Sequence, residues 1–150
     1  MPEQGPWQGS FLANFSPRVQ EKLLGVAETF QHKAGADIFH EGDPSLYIYV
    51  VKTGHVAVEL HVPSKGRRTI FTASPGDVFG WSALVEPRIE TASARAVEDA
   101  EVLGIKGGLL MDMSREDCEL GFEVYRTLAS VIMARLIATR LQLLDIFAVG

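Results

Sequence analysis

The stretch GDVFGWSALVEPRIETASARA, Gly76 to Ala96, decides how this chain is read. It opens as a strand entering a turn at Gly80. A short apolar segment around Trp81 to Val85 follows, long enough for one or two helical turns. Hydroxyl and small residues then alternate from Thr91 onward, as in a strand. A β-rich domain that interrupts itself with glycines, hydroxyls and charges usually does so for a ligand. A turn that opens a short helix presents free backbone N–H groups and the positive end of a helix dipole, which suits an anion. Gly80 permits close approach of the backbone. Ser82, Thr91 and Ser93 offer hydrogen bonds, and Arg88 or Arg95 offers a charge for a phosphate. The same residues also fit a plain corner of a β roll, with glycines for turns and hydroxyls for strand propensity.

The flanking sequence is built of strands. ADIFH (36–40), LYIYVVK (46–52), HVAVELHV (55–62) and RRTIFTA (67–73) are short and rich in β-branched and aromatic residues. Turn signals separate them: EGDPS, Thr53-Gly54, PSKG and SPGD. In HVAVELHV, Val56, Val58, Leu60 and Val62 alternate with polar or small residues, as in a half-buried strand. TASARAV and EVLGI add two further strands. Evenly spaced short strands predict an antiparallel barrel or double-sheet roll. No internal repeat or low-complexity tract interrupts it.

Helices bracket the strands. MPEQGPWQGS reads as loose, and the tail is expected to run over residues 1–14, with one domain over 15–150. Ser16-Pro17 is a helix start, a hydroxyl cap before proline at the first helical position. Val19, Leu23, Leu24 and Ala27 continue it at helical spacing. After Gly107-Gly108 the helical period returns, and Ser114 with Asp117 resembles a capping box. From there to about Phe147 no proline intervenes, so the helix expected over 114–147 would approach about 50 Å at ~1.5 Å per residue. It carries two apolar seams. Phe122, Tyr125, Ala129, Ile132, Leu136, Leu143 and Ile146 form one. Leu120, Val124, Leu128, Val131, Ala138 and Leu141 form the other. One seam can cover the strands; the other needs a second surface, and a symmetric copy of the helix is the simplest supply. The alternative is a helix sunk into its own domain.

Composition narrows the function classes. A chain of 150 residues with 47% hydrophobic and 22% charged residues is an ordinary single globular domain. Its net charge of −5 argues against general attraction to nucleic acid or anionic membrane. The one cysteine, Cys118, excludes an internal disulfide and a multi-cysteine metal or iron–sulfur site. No basic, then apolar, leader opens the chain, and the most apolar segment carries Arg126, Arg135, Arg140 and Asp145, too many charges for a membrane span. A cytoplasmic location is the expectation. His55 and His61 would share a strand face, with His40 near, which raises a small cupin-like metal site; neither an H-x-H pair with a following Glu nor a helical H-x-x-x-H supports it. GWSAL lacks the G-x-S-x-G elbow of a serine hydrolase. Cys118 has no His or Asn nearby in sequence to activate it. The chain reads as non-enzymatic.

Four features together resemble one family. AGADIFHEGDPSLYIYVVKTGHVAV, PGDVFGWSALV, TASARAVEDAEVLGI and the long closing helix are similar to the cyclic nucleotide-binding domain of the bacterial catabolite-activator and fumarate–nitrate-regulator family. The resemblance covers about Phe15 to Phe147. It implies an α+β, mainly β fold: an antiparallel jelly roll flanked by an N-terminal helix and a long C-terminal dimerisation helix. It implies a phosphate-binding cassette drawn from Phe79, Gly80, Trp81, Ser82, Ala83, Leu84, Arg88, Thr91, Ala92 and Ser93. It implies cAMP or cGMP as ligand, a homodimer through the closing helix, and a part in signal transduction.

The cassette departs from the family's pattern at two positions. Trp81 stands where ligand-binding relatives carry a Glu for the ribose hydroxyl. Glu90 stands where they carry an Arg for the cyclic phosphate, and a carboxylate beside a phosphate is repulsive. A shifted backbone would let Arg88 replace the missing charge, against competition from Glu86 and Glu90. Arg95 reads as structural. Trp81 either stacks on a base or fills the pocket. The competing reading is therefore a ligand-free dimerisation or protein-interaction module. The chain ends near the end of the long helix, so no winged helix and no direct DNA contact are expected; regulation would act through a protein partner, for which LQLLDIFAVG is apolar enough.

Overall fold

The computed structural model describes residues 10–148, and the first nine residues of the expected tail lie outside the described residues. Two four-stranded antiparallel sheets pack face to face. The first has the order β1 (Glu28–His32), β8 (Ala100–Lys106), β3 (Tyr47–Thr53), β6 (Val78–Phe79). The second has the order β2 (Asp37–Phe39), β7 (Ser93–Ala96), β4 (Val56–Val62), β5 (Gly66–Ala73). The chain crosses between sheets repeatedly, which makes the roll expected from the strand spacing. β1 and β6 are additions: ETFQH holds too few β-branched residues to stand out, and β6 is only two residues long.

The strands of the first sheet are apolar on both faces because both are covered. Val51, Ala100 and Val102 point between the sheets and pack with Val56, Ala73, Phe79, Ala94 and Ala96. Ile48, Val50 and Ile105 point the other way, into a second core with Leu12, Val19, Leu23, Leu110, Leu120, Val124 and Leu128 from the helices. β4 keeps the expected alternation as far as Glu59, with Val56 and Val58 packed between the sheets and Glu59 on the opposite face, beside Arg95 of β7. Glu59 is nevertheless only 5% exposed, because Arg95 holds its carboxylate at 3.1–3.2 Å; the bulge lies in the partner strand β5, where Ile70 is the extra residue. Arg95 is structural, as its position in β7 suggested.

The helices differ from expectation at their ends. α1 spans Pro17–Val26, but Ser16 caps no helix amide. Its amide and hydroxyl instead donate to the Glu123 carboxylate of the closing helix, at 2.7 and 2.9 Å. Residues 10–14 are not loose. Phe11–Asn14 is a 3-10 turn with Leu12 2% exposed, tied by Phe11 N–H to the Gly76 carbonyl at 2.8 Å. The long helix begins later than Ser114. α2 runs Gly107–Glu116 and α3 runs Cys118–Ala148, with Asp117 between them. Ser114 bonds back to the Leu110 carbonyl inside α2, and Asp117 is the cap, accepting from the Leu120 amide at 3.1 Å. Asp117 also binds Arg18 and Lys22 of α1, which hold its carboxyl well below the usual carboxylate range.

α3 leaves the domain as it proceeds. Leu120, Val124 and Leu128 are buried, Val131 and Ala138 are half-buried, and Leu141 is already exposed. Of the other seam, Phe122, Tyr125, Ile132, Leu136, Leu143 and Ile146 are exposed, as is Ala129.

Candidate functional site

Gly76 to Ala96 forms the wall of a cavity. β6 pairs Phe79 with Tyr49 of β3. Gly80 then turns the chain with φ at 75°, in the left-handed region. A Cβ there would lie 3.1 Å from the Tyr47 carbonyl oxygen and 3.2 Å from the Tyr49 ring, so both conformation and space demand glycine. Trp81–Leu84 follow as a 3-10 turn. Its first internal bond is from the Ala83 amide to the Gly80 carbonyl, which leaves the Trp81 and Ser82 amides ahead of the ladder. Ala83 and Leu84 are buried beneath. Gly107 at the start of α2 presses on this turn so closely that a Cβ would come within 2.5 Å of the Ala83 carbonyl oxygen.

The cavity holds about 400 Å³, a size typical of small-ligand pockets. Phe39, Val58, Ile70, Phe71 and Phe79 of the roll form its floor, and Gly80, Trp81 and Ser82 one side. Glu90, Thr91 and Ala92 form another side. Arg135, Ala138, Thr139 and Gln142 of α3 close it. Trp81 is therefore a wall, packed on the helix-side core, and does not plug the space.

Two charges line this cavity. Glu90 is 4% exposed, and Ser45 donates its hydroxyl proton to Oε1. Burial pushes its pKa up and the nearby Asp43 adds to the rise, while the Ser45 bond opposes it. Backbone bonds on both sides, Gly42 N–H to the Glu90 carbonyl and Glu90 N–H to the Asp43 carbonyl, fix Glu90 against the EGDPS turn. Arg135 lies with its guanidinium carbon 3.5 Å from the centre of the Phe71 ring, a cation–π contact. Among the described residues no carboxylate pairs with it. Tyr49, stacked on Phe79 beneath the cavity floor, has its hydroxyl pKa raised to about 12, chiefly by burial.

Of the ten cassette residues, Phe79, Gly80, Trp81, Ser82, Thr91 and Ala92 line the cavity. Four do not. Ala83 and Leu84 belong to the support beneath it. Ser93 accepts the Glu41 amide at 2.9 Å and so holds the neighbouring turn. Arg88 is turned away: with φ at 60° its Nε donates to the Ala83 carbonyl at 3.0 Å, so it does not replace the missing charge. The helix residues were missed. In sequence Arg135 is one of several charges in a long helix, and nothing local marks it as facing a strand far back in the chain. Tyr125 links the two parts, its hydroxyl donating to the Leu84 carbonyl at 3.3 Å.

Comparison with known proteins fits this architecture. Residues 29–117 match the sequence model described as the cyclic nucleotide-binding domain. The chain belongs to that family. It is 33% identical over 91 residues to the cyclic AMP receptor protein of Thermus thermophilus, covering 60% of this chain and 42% of that one. Over 91 residues it is 31% identical to the cAMP-dependent protein kinase regulatory subunit of Hypocrea atroviridis, covering 61% of this chain and 19% of that one. The chain thus spans less than half the length of either relative. The crystal structure of the Thermus thermophilus catabolite activator protein superposes with a TM-score of 0.74 at 25% identity, over 92% of this chain and 62% of that one. These family members are regulatory proteins. The matched segment ends at Asp117, just where α3 begins, so the helix that closes the cavity lies beyond it.

Among the described residues no group of His, Cys, Asp or Glu is arranged to hold a metal ion. His55 pairs with Glu98 at 2.5 Å, and His40 with Asp37 at 3.1 Å. No described helix is long and apolar enough to cross a membrane.

Proposed function

We propose that this domain is a non-catalytic sensor that binds a small ligand of the cyclic nucleotide class, cAMP or cGMP, between the roll and α3. Its cellular setting is the cytoplasm. Ligand occupancy biases the position of α3, and α3 passes that bias to a second copy of the chain by a population shift. One observation carries the reading: α3 is both a wall of the cavity, through Arg135, Thr139 and Gln142, and an apolar surface left uncovered among the described residues. Leu136, Ile137, Leu141, Leu144 and Phe147 are 45–73% exposed. Fully burying such a side chain is worth roughly 1.5–3 kcal/mol, so a parallel or antiparallel copy of α3 gains substantially by covering them.

The buried carboxylate of Glu90 favours a second reading, a dimerisation or protein-interaction module that takes no ligand. A thermal titration separates the two. cAMP, cGMP and cyclic dinucleotides are added to the purified chain, with ATP as control. A ligand present at a hundredfold excess over its Kd stabilises by about 2.7 kcal/mol, which shows as a saturable rise in Tm. A flat response at millimolar concentrations rejects the sensor and leaves the interaction module.

A further inference from the structure

The two charges in the cavity enter from different elements, and their surroundings differ. Glu90 comes from the roll. Ser45 bonds one carboxylate oxygen, and among the described residues nothing bonds the other. Any group placed against that oxygen must donate a hydrogen bond; an anion there is repelled. Arg135 comes from α3. Its guanidinium stacks on Phe71 and keeps its N–H donors unpaired among the described residues, so it takes an anion. The other walls carry the aromatic side chains of Phe71, Phe79 and Trp81, which suit a flat body, with Ser82, Thr91, Thr139 and Gln142 as polar points among them. A free amino acid carries both charges but fills little of about 400 Å³.

From this we infer that the cavity binds an aminopurine nucleotide with its exocyclic amine against Glu90 and its phosphate against Arg135. This rests on reading the cavity as the ligand site. It makes Glu90 and Arg135 the specificity-determining pair: Glu90 selects bases that carry an amino group, and α3 holds the phosphate. The phosphate contact then falls on the helix that leaves the domain, so the charge of the ligand acts directly on α3.

Isothermal titration of the whole chain at pH 7.5 with cyclic AMP and cyclic IMP tests it, because the second has a carbonyl in place of the amine. Cyclic AMP is expected to bind at least about tenfold more tightly, the loss expected when one hydrogen bond to a charged group is removed. Glu90→Gln, whose amide donates as well as accepts, should erase most of that preference. Arg135→Gln should weaken both ligands about tenfold and keep the preference. Glu90→Arg should weaken cyclic AMP; should it misfold by circular dichroism, Glu90→Gln alone decides. Equal affinity for the two ligands, or stronger cyclic AMP binding by Glu90→Arg, overturns the orientation while leaving the sensor reading intact. No binding of either nucleotide overturns both.

Discussion

The Ser45 hydroxyl donates to Glu90 Oε1 at the edge of the cavity. This joins the EGDPS turn, which precedes β3, to the segment leading into β7. It satisfies half of a carboxylate that is 4% exposed and, among the described residues, has no cation paired with it. A charge kept in such a place opposes folding, and that gives the first prediction.

Glu90→Gln should stabilise the domain at neutral pH. The folded-state pKa of Glu90 lies above its ordinary value of 4.5, so the folded chain holds this proton more tightly than the unfolded chain. Its stabilising contribution is complete below the unfolded pKa and is lost as pH rises through the folded pKa. Gln never ionises. Thermal melts by circular dichroism should therefore show the variant melting above wild type at pH 7.5, by roughly 3 °C per kcal/mol relieved, with the two curves converging below about pH 4.5. A variant that melts below wild type at pH 7.5, with the gap closing in acid, would show that the ionised carboxylate stabilises the fold.

Asp117→Asn should act in the opposite sense. Arg18 and Lys22 hold the Asp117 carboxyl below its ordinary value of 3.8, and the same carboxylate caps α3. Its contribution is present above the unfolded pKa and lost as pH falls through the folded one. The variant should melt below wild type at pH 7, and the gap should narrow in acid. Salt should narrow it too, since these ion pairs are partly solvent-exposed.

Gly107→Ala should loosen the cavity wall. The new Cβ would sit 2.5 Å from the Ala83 carbonyl oxygen, so the Trp81–Leu84 turn or the start of α2 must move. Overpacking of this kind costs about 1–3 kcal/mol. Urea denaturation should show a lower midpoint. If cAMP binds the parent, it should bind the variant more weakly.

Leu136→Asp with Ile137→Asp should separate dimer from monomer. Both residues are exposed, at 45% and 49%, so the roll should keep its fold. Light scattering after size exclusion should give a dimer for the parent chain and a monomer for the variant. A monomeric parent would remove the dimer from the proposed function.

The order of elements was legible because each rests on local chemistry. Alternating β-branched residues marked six of the strands, and glycine-bearing turns marked most of their ends. The two strands that escaped are held by pairing: β1 along β8, and β6 along Tyr49 and Val50 of β3. The burial of Glu59 and the change of cap from Ser114 to Asp117 also escaped, because each is decided by a partner distant in the chain, Arg95 in one case and Arg18 with Lys22 in the other. Within the site, Gly80, Trp81, Ser82 and Thr91 could be named from a single stretch. Arg88 was misread for the same reason: two residues from Glu90 in sequence, it points into the support of the turn.

By itself, then, the sequence determined the roll, the closing helix, the family and the exchange of expected charges at Trp81 and Glu90, since these follow from periodicity and from residues close together in the chain. Only the tertiary structure decided that the cavity remains open, that Arg88 is spent on the Ala83 carbonyl, and that Arg135 brings the positive charge. A pocket is made by surfaces meeting from distant parts of a chain, and which side chains face each other across it depends on how α3 packs over the roll.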